Sequence, residues 1–473
     1  MAKPRACVVG SGPNGLAAAI VLAQAGLPVE VFEAEPIPGG AARTMELTLP
    51  GFLHDFGSAV HPFAAGSPFF SSLPLEKFGL EWIHSPAPVA HPLDDGSAVV
   101  LEQDLANAEV SLGADGGAWG NLVGPFADHW PEFAREAFRP QPSIPAHPLL
   151  MVRFGWDALL SAKSIARRFS SQRTRALFAG LAAHSFLALD EALSGAFGLM
   201  LAISAHAVGW PIPRGGAQSL TNALCRYLES LGGTLETSSR VDSLADVADY
   251  DLILCDVTPR QLLQIGAGQF SAGYKREMAR FRYGPGVFKV DFALSQPIPW
   301  KAADCLRAAT VHIGGSFEQI AESEKAVRNG RTADQPFLIL AQPTLFDPSR
   351  APAGKHIAWA YCHVPNGSTA DMLPNIESQI ERFAPGFRGC ILARRTFSPA
   401  QLQSMDANLV GGDVAGGAMD IHQFLFRPSR QHYATSAKNI FICSASTPPG
   451  GGVHGMSGFH AAKQALSQLH SNK

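Results

Sequence analysis

The sequence predicts an α/β fold: a Rossmann-type parallel sheet assembled from discontinuous segments, with an inserted mixed α+β domain. Three observations predict it. Residues 6–33 run strand, glycine turn, helix, strand. The same grammar returns at residues 214–259 and again at 439–469. Between these pieces lie two long stretches, roughly 75–210 and 270–430, richer in aromatics and proline. The resulting division puts 1–75, 211–268 and 430–473 in a nucleotide-binding domain, and 76–210 and 269–429 in a substrate domain.

Each element has its own justification. Residues 6–9 are a short apolar strand, 16–25 an almost wholly small and apolar helix, and Val29, Val31 and Phe32 a second strand. Leu220, Leu224, Leu228 and Leu231 sit at helical spacing, Gly232-Gly233 ends that helix, and 234–238 alternates like a strand. Residues 251–257 form a buried strand. At the far end 439–443 is strand-like, 448–452 a loop and 456–469 a helix. The uncharged stretch 192–213 is long enough to span a bilayer, but its glycines and prolines make it a buried helix followed by a turn.

Composition excludes whole classes. With 46% hydrophobic residues the chain is not disordered, and 473 residues make two or three domains of ~100–200 residues. A net charge of −3 leaves no footprint for nucleic acid. Seven cysteines, none within 28 residues of another, exclude a disulfide framework and a redox dithiol; with no secretory signal at the start, a cytoplasmic setting is expected.

Gly10-Ser11-Gly12-Pro13-Asn14-Gly15 is G-x-G-x-x-G directly after a strand and opening a helix. Gly10 permits the turn, Gly12 lets N–H groups approach a pyrophosphate at the helix start, and Gly15 lets helix and strand pack closely. Asn14 belongs to the same cradle. Glu33, 18 residues beyond Gly15 at the end of the second strand, stands where a carboxylate accepts from a ribose hydroxyl. FAD rather than NAD is favoured by Gly39-Gly40, which lets chain pass along an extended dinucleotide, and by Arg43, a charge for a phosphate or a flavin edge. The loop 447–458 then leads into a helix, so free N–H groups face one point and stabilise negative charge on a reduced flavin. Gly266-Ala267-Gly268, a further near-match, lacks the third glycine.

These stretches, with GFLHDFGSAVHP at 51–62 and PRGGAQSLTNALCRYLESLGG at 213–233, resemble the flavoprotein family of bacterial phytoene desaturases and carotenoid isomerases, in the flavin amine oxidase superfamily, nearest its phytoene dehydrogenase-related branch. The resemblance implies a glutathione reductase-like FAD domain. It implies that Gly10, Gly12 and Gly15 hold the pyrophosphate, Glu33 the ribose, and Gly39, Gly40 and Arg43 the flavin side. It places Val241 at the adenine through backbone atoms, and Gly452, Val453 and Met456 at the isoalloxazine. Where the family has Gly-Asp or Gly-x-Gly this chain has Ser444-Ala445-Ser446, so Ser446 is left to hydrogen-bond a ribityl hydroxyl.

The expected chemistry is desaturation, isomerisation or other oxidation of C–C or C=C bonds in a lipophilic, polyene- or isoprenoid-like substrate, by hydride transfer to flavin N5. Residues 56–75 are nearly free of charge, with three prolines, and read as an apolar loop lining a pocket or packing core. His61, His363 and His454 are the candidate bases, and Trp210 a cover for a flavin face. No metal motif competes. With one dinucleotide motif, electrons leave to oxygen or a quinone. Residues 159–178 carry five basic and no acidic side chains among apolar ones, which reads as peripheral membrane contact or as a solvated face. Two rivals remain: C–N oxidation by an amine oxidase-type site with Trp210 and Tyr361 as a cage, and an FAD-bound scaffold without turnover.

Overall fold

The computed structural model describes residues 3–141 and 143–471. Five parallel strands form the first sheet, in the order Ile440–Ile442, Leu252–Cys255, Ala6–Val9, Val29–Phe32, Thr234–Glu236. All five come from 1–75, 211–268 and 430–473. The central strands Ala6–Val9 and Leu252–Cys255 are buried throughout, which is why they read as continuous apolar runs rather than alternating ones.

Helix Pro13–Gln24 covers this sheet, and helix Met456–Ser471 packs across it. The crossing is close: a Cβ on Gly458 would lie 1.8 Å from the Asn14 carbonyl oxygen. Opposite ends of the sequence therefore meet at the start of the first helix.

Seven strands form the second sheet, all from 76–210 and 269–429. Their order is Ile391–Phe397, Gly286–Leu294, His356–Val364, Leu338–Ala341, Ala308–Ile313, Ala87–Pro92, Ala98–Leu101, antiparallel except between Ala308–Ile313 and Ala87–Pro92. Its two faces differ. Phe288, Val290, Phe292, Leu340 and Ala360 pack outward with Ile376, Ile380 and Phe383 of helix Leu373–Phe383. The alternate positions Lys289, Asp291, Thr310, His312, Trp359 and Tyr361 face the other way. Strands Gly286–Leu294 and Ala308–Ile313 are buried on both faces, and in both the polar side chains lie on the inner one.

Helix Gln172–Ala183 lies over that inner face, and Ser194–Ala207 packs against it. Ser194–Ala207 is the buried helix expected within 192–213, and Ile212–Pro213 beyond it pairs with Trp82–Ile83. No described helix is long and apolar enough to cross a membrane.

The basic stretch 159–178 is not one amphipathic surface helix. It breaks into Ala162–Ala166 and the start of Gln172–Ala183, capped by Ser171. Ile165, Phe169, Leu177 and Phe178 are core, Arg168 pairs with Asp157, Arg173 donates to Ala98 O, and Arg175 to Phe169 O at 2.8 Å. Exposed apolar side chains lie just upstream instead. Ile144, Leu149, Val152, Trp156 and Leu159 project outward, Leu149 and Trp156 at 87% and 75% exposure, while Leu150, Met151 and Phe154 of the same helix Pro148–Ala158 pack inward.

Candidate functional site

A cavity of about 360 Å³ runs from the glycine loop after Ala6–Val9 to the inner face of the seven-stranded sheet. Its first half is made of backbone. Helix Pro13–Gln24 begins with no side-chain cap from Gly12 and no acid in its first turn. Pro13 has no N–H, Gly15 N–H goes to Asp256 and Leu16 N–H to Gly12 O, so the Asn14 N–H is the one left for an anion. A Cβ on Gly12 would sit 2.6 Å from Asp256 Oδ2, and one on Gly15 2.1 Å from Gly10 O. Gly10 holds φ +99°, a region L-residues rarely adopt. The loop's glycines are therefore set by contact distance and backbone angle together.

Glu33 fixes this loop. Its Oε2 accepts from Ser11 N–H at 2.9 Å and from Ser11 Oγ at 2.6 Å, and Oε1 accepts from Glu35 N–H at 2.9 Å. Oε1 keeps a lone pair for a ribose hydroxyl. Gly39 N–H donates to the same Ser11 Oγ at 3.2 Å, joining the second glycine pair to the first.

The loop that returns late in the sequence is held by Arg427, which is wholly buried. Its guanidinium donates to Ser446 O at 3.2 Å, Gly416 O at 2.7 Å and Ala445 O at 3.0 Å. These bonds press residues 444–453 against the cavity.

The cradle fits FAD. Asn14 Oδ1 and Ser446 Oγ are buried without any protein partner, and both residues line the cavity. Orphaned polar atoms beside an uncapped helix N-terminus are what a ligand with ribityl and phosphate oxygens satisfies. When bound, FAD supplies a two-electron acceptor.

Gly12, Asn14, Gly40, Ser446, Gly452 and Val453 line the cavity, as does His61. Gly10, Gly15, Glu33 and Gly39 support it from behind. Arg43 donates to Met405 O at 2.8 Å and lies over the Phe56 ring. Val241 packs with the cluster behind the five-stranded sheet, and Met456 is the buried first residue of the last helix.

The three histidines separate. His61 faces the cavity, buried, with neither ring nitrogen hydrogen-bonded, and burial lowers its pKa to about 4, so it is neutral. His363 lies outside the lining, its Nδ1 2.7 Å from Glu324 Oε2 and its ring against Phe186. His454 also lies outside, accepting from Met456 N–H at 3.0 Å at the start of the last helix.

Several lining residues had no signal in a motif. Asp256 ends the strand Leu252–Cys255 and accepts from Gly15 N–H at 2.8 Å. Burial, then the charges of Asp406 and Glu33, raises its pKa to about 7. Lys289 is buried beside Asp291 and below the Trp359 and Phe397 rings; burial lowers its pKa. Lys289 and Asp291 are the charged pair in the otherwise apolar run Gly286–Leu294, and that pattern was readable. Trp359, Thr310 and His184 complete the far wall. All seven cysteines are buried and unpaired.

The comparisons agree with this architecture. Residues 8–70 match the NAD(P)-binding Rossmann-like domain family. The chain is 23% identical to mouse (Mus musculus) pyridine nucleotide-disulfide oxidoreductase domain-containing protein 2, over 98% of this chain and 93% of that one. It is 25% identical to the lycopene-forming phytoene desaturase of Pseudescherichia vulneris, over 95% and 96%. It is 26% identical to phytoene dehydrogenase of Streptomyces griseus, over 94% and 91%. Among solved structures, an oxidoreductase of Methanosarcina mazei aligns with TM-score 0.64 at 17% identity, covering 98% of this chain and 100% of that one. A putrescine oxidase mutant aligns with TM-score 0.61 at 14% identity, covering 100% and 99%. The chain is thus a relative, along nearly its whole length, of the phytoene desaturases and of pyridine nucleotide-disulfide oxidoreductase domain-containing protein 2.

Proposed function

We propose that the protein is an FAD-dependent oxidoreductase acting on a C–C or C=C bond of a lipophilic, isoprenoid-like molecule. One observation carries the reading: the cofactor cradle and an apolar, aromatic chamber are a single cavity, with His61 on its wall. In a desaturation two C–H bonds break and one C=C bond forms. FAD, which the 10–15 loop and Ser446 would hold, would accept one hydrogen with its electron pair, and a His61 ring nitrogen takes the other as a proton. Phe56, Phe63, Leu201 and Trp210 exclude water from the reacting carbons. Oxygen or a quinone takes the electrons afterwards.

The exposed apolar face of Pro148–Ala158 gives a lipophilic substrate a route, resting in the surface of a bilayer. Its inward side packs with helix Ser194–Ala207, whose Leu201 lines the cavity.

Amine oxidation is the second reading, because Trp210 and Tyr361 both line the cavity. The stacked pair, however, is Trp359 with Tyr361, centroids 5.5 Å apart at 18°. The test is anaerobic reduction of the FAD-loaded protein by a panel of isoprenoid polyenes and a panel of amines. Bleaching by a polyene is expected; bleaching by amines alone, or no FAD uptake, overturns the proposal.

A further inference from the structure

The far wall of the cavity is rich in hydrogen-bond donors that nothing in the protein uses. Trp119, Trp130, Trp210 and Trp300 are buried, and each donates its indole N–H: to His206, Gly66 O, Leu201 O and Gln342. Trp359 is equally buried, lines the cavity, and its Nε1 has no partner. An indole N–H is a donor only, so leaving it unpaired costs about 1–3 kcal/mol. Thr310 Oγ1 is buried and unpaired in the same wall.

The two groups flank one notch. Thr310 pairs in register with Ala341, and Ala341 with Trp359. The residue between the donors is therefore only a methyl group, and all three line the cavity.

His184 adds a third donor. Its Nε2 lies 2.9 Å from His312 Nε2, so one of the two carries the shared hydrogen. His312 Nδ1 is buried without a partner, packed where a Cβ on Gly180 would come within 2.6 Å. A hydrogen there would have no acceptor, so it sits on His312 Nε2 instead. His184 then accepts at Nε2 and keeps its hydrogen on Nδ1, which bonds to none of the described residues. Burial lowers the pKa of His184 to about 3, and it stays neutral. Among the described residues, the charge on this wall, Lys289, is neutralised by its buried partner Asp291.

We infer that this notch receives a neutral carbonyl oxygen, and that the substrate is a carbonyl-bearing lipophile rather than a pure hydrocarbon. The inference rests on the lipophilic-substrate reading and narrows it. A hydrocarbon of the same shape leaves every one of these donors unpaired, whereas an aldehyde or ketone oxygen, with two lone pairs, can accept from two of them. With no net positive charge present, a carboxylate gains little.

The test titrates the FAD-loaded protein with farnesal and with farnesene, which share a carbon skeleton, following the flavin absorbance. Farnesal is expected to bind at least tenfold more tightly. In Trp359→Phe, and independently in the near-isosteric Thr310→Val, that preference is expected to shrink at least threefold, with FAD content and farnesene affinity unchanged. Equal binding of the two probes by the unmodified protein overturns the inference and leaves the lipophile reading standing. So does a variant pair that weakens both probes alike. If neither probe binds, the lipophile reading falls, and this inference with it.

Discussion

The two ends of the cavity are built from different materials. At the cofactor end the working groups are backbone: the free Asn14 N–H, and glycines at 10, 12 and 15 whose missing side chains leave room. At the far end they are side chains, Lys289, Thr310, Trp359 and Tyr361, displayed by three strands of one sheet. A backbone site admits almost no substitution and holds one invariant molecule. A side-chain site on a finished sheet changes residue by residue while the sheet stands. That is how one cofactor cradle serves many substrates.

This contrast breaks if mutations at the two ends have the same readout. The largest effect is expected from Gly12→Ala, whose Cβ would meet Asp256 Oδ2 at 2.6 Å. FAD affinity should fall by roughly 100-fold or more, and the purified protein should be nearly colourless. Full flavin occupancy would refute the backbone account of that end. Arg427→Met removes the donor from three buried carbonyls, and urea denaturation should show a loss of about 3 kcal/mol or more, with weakened FAD retention.

At the other end the loss should fall on turnover. His61→Asn should lower kcat by about 100-fold with flavin content unchanged. A parallel loss of FAD would mean that His61 supports the cradle instead.

A smaller, pH-dependent effect belongs to Asp256. Its carboxyl is raised to about 7 in the folded protein, above the ~4 of an unfolded chain. The folded state thus holds a proton that the unfolded state releases. The stabilisation is complete below about pH 4 and is lost as pH rises to about 7. The pyrophosphate adds negative charge beside it, so FAD affinity should also decline as pH rises through 7, by at most about tenfold per unit. Asp256→Asn, which can still accept from Gly15 N–H, should flatten both profiles. The smallest effect on the fold is expected from Trp156→Ser, within about 0.5 kcal/mol in thermal melts, yet flotation with anionic vesicles should drop severalfold.

The same contrast explains what could be read from the amino-acid order. The cofactor end obeys local rules, since a turn at φ +99° and a close helix crossing demand glycine at fixed spacing. The five strands of that sheet were accordingly visible. The far wall obeyed no local rule: Thr310 and Trp359 become neighbours of Ala341 only through the order of the strands. His363 and His454 looked like His61 in sequence, and only packing distinguishes a helix-start acceptor and a glutamate partner from a cavity wall. In the stretch 159–178, Arg168 pairs with Asp157 and Arg175 donates to Phe169 O, partners that periodicity does not reveal.

The contact between Gly458 and Asn14 also has a bearing on biosynthesis. Residues 10–15 are synthesised more than four hundred residues ahead of the segment that closes over them. Until that segment is made, the first helix lacks the partner that packs across it. Chaperone dependence during translation, and flavin uptake only once the last helix has emerged, are the expected consequences of that one close crossing.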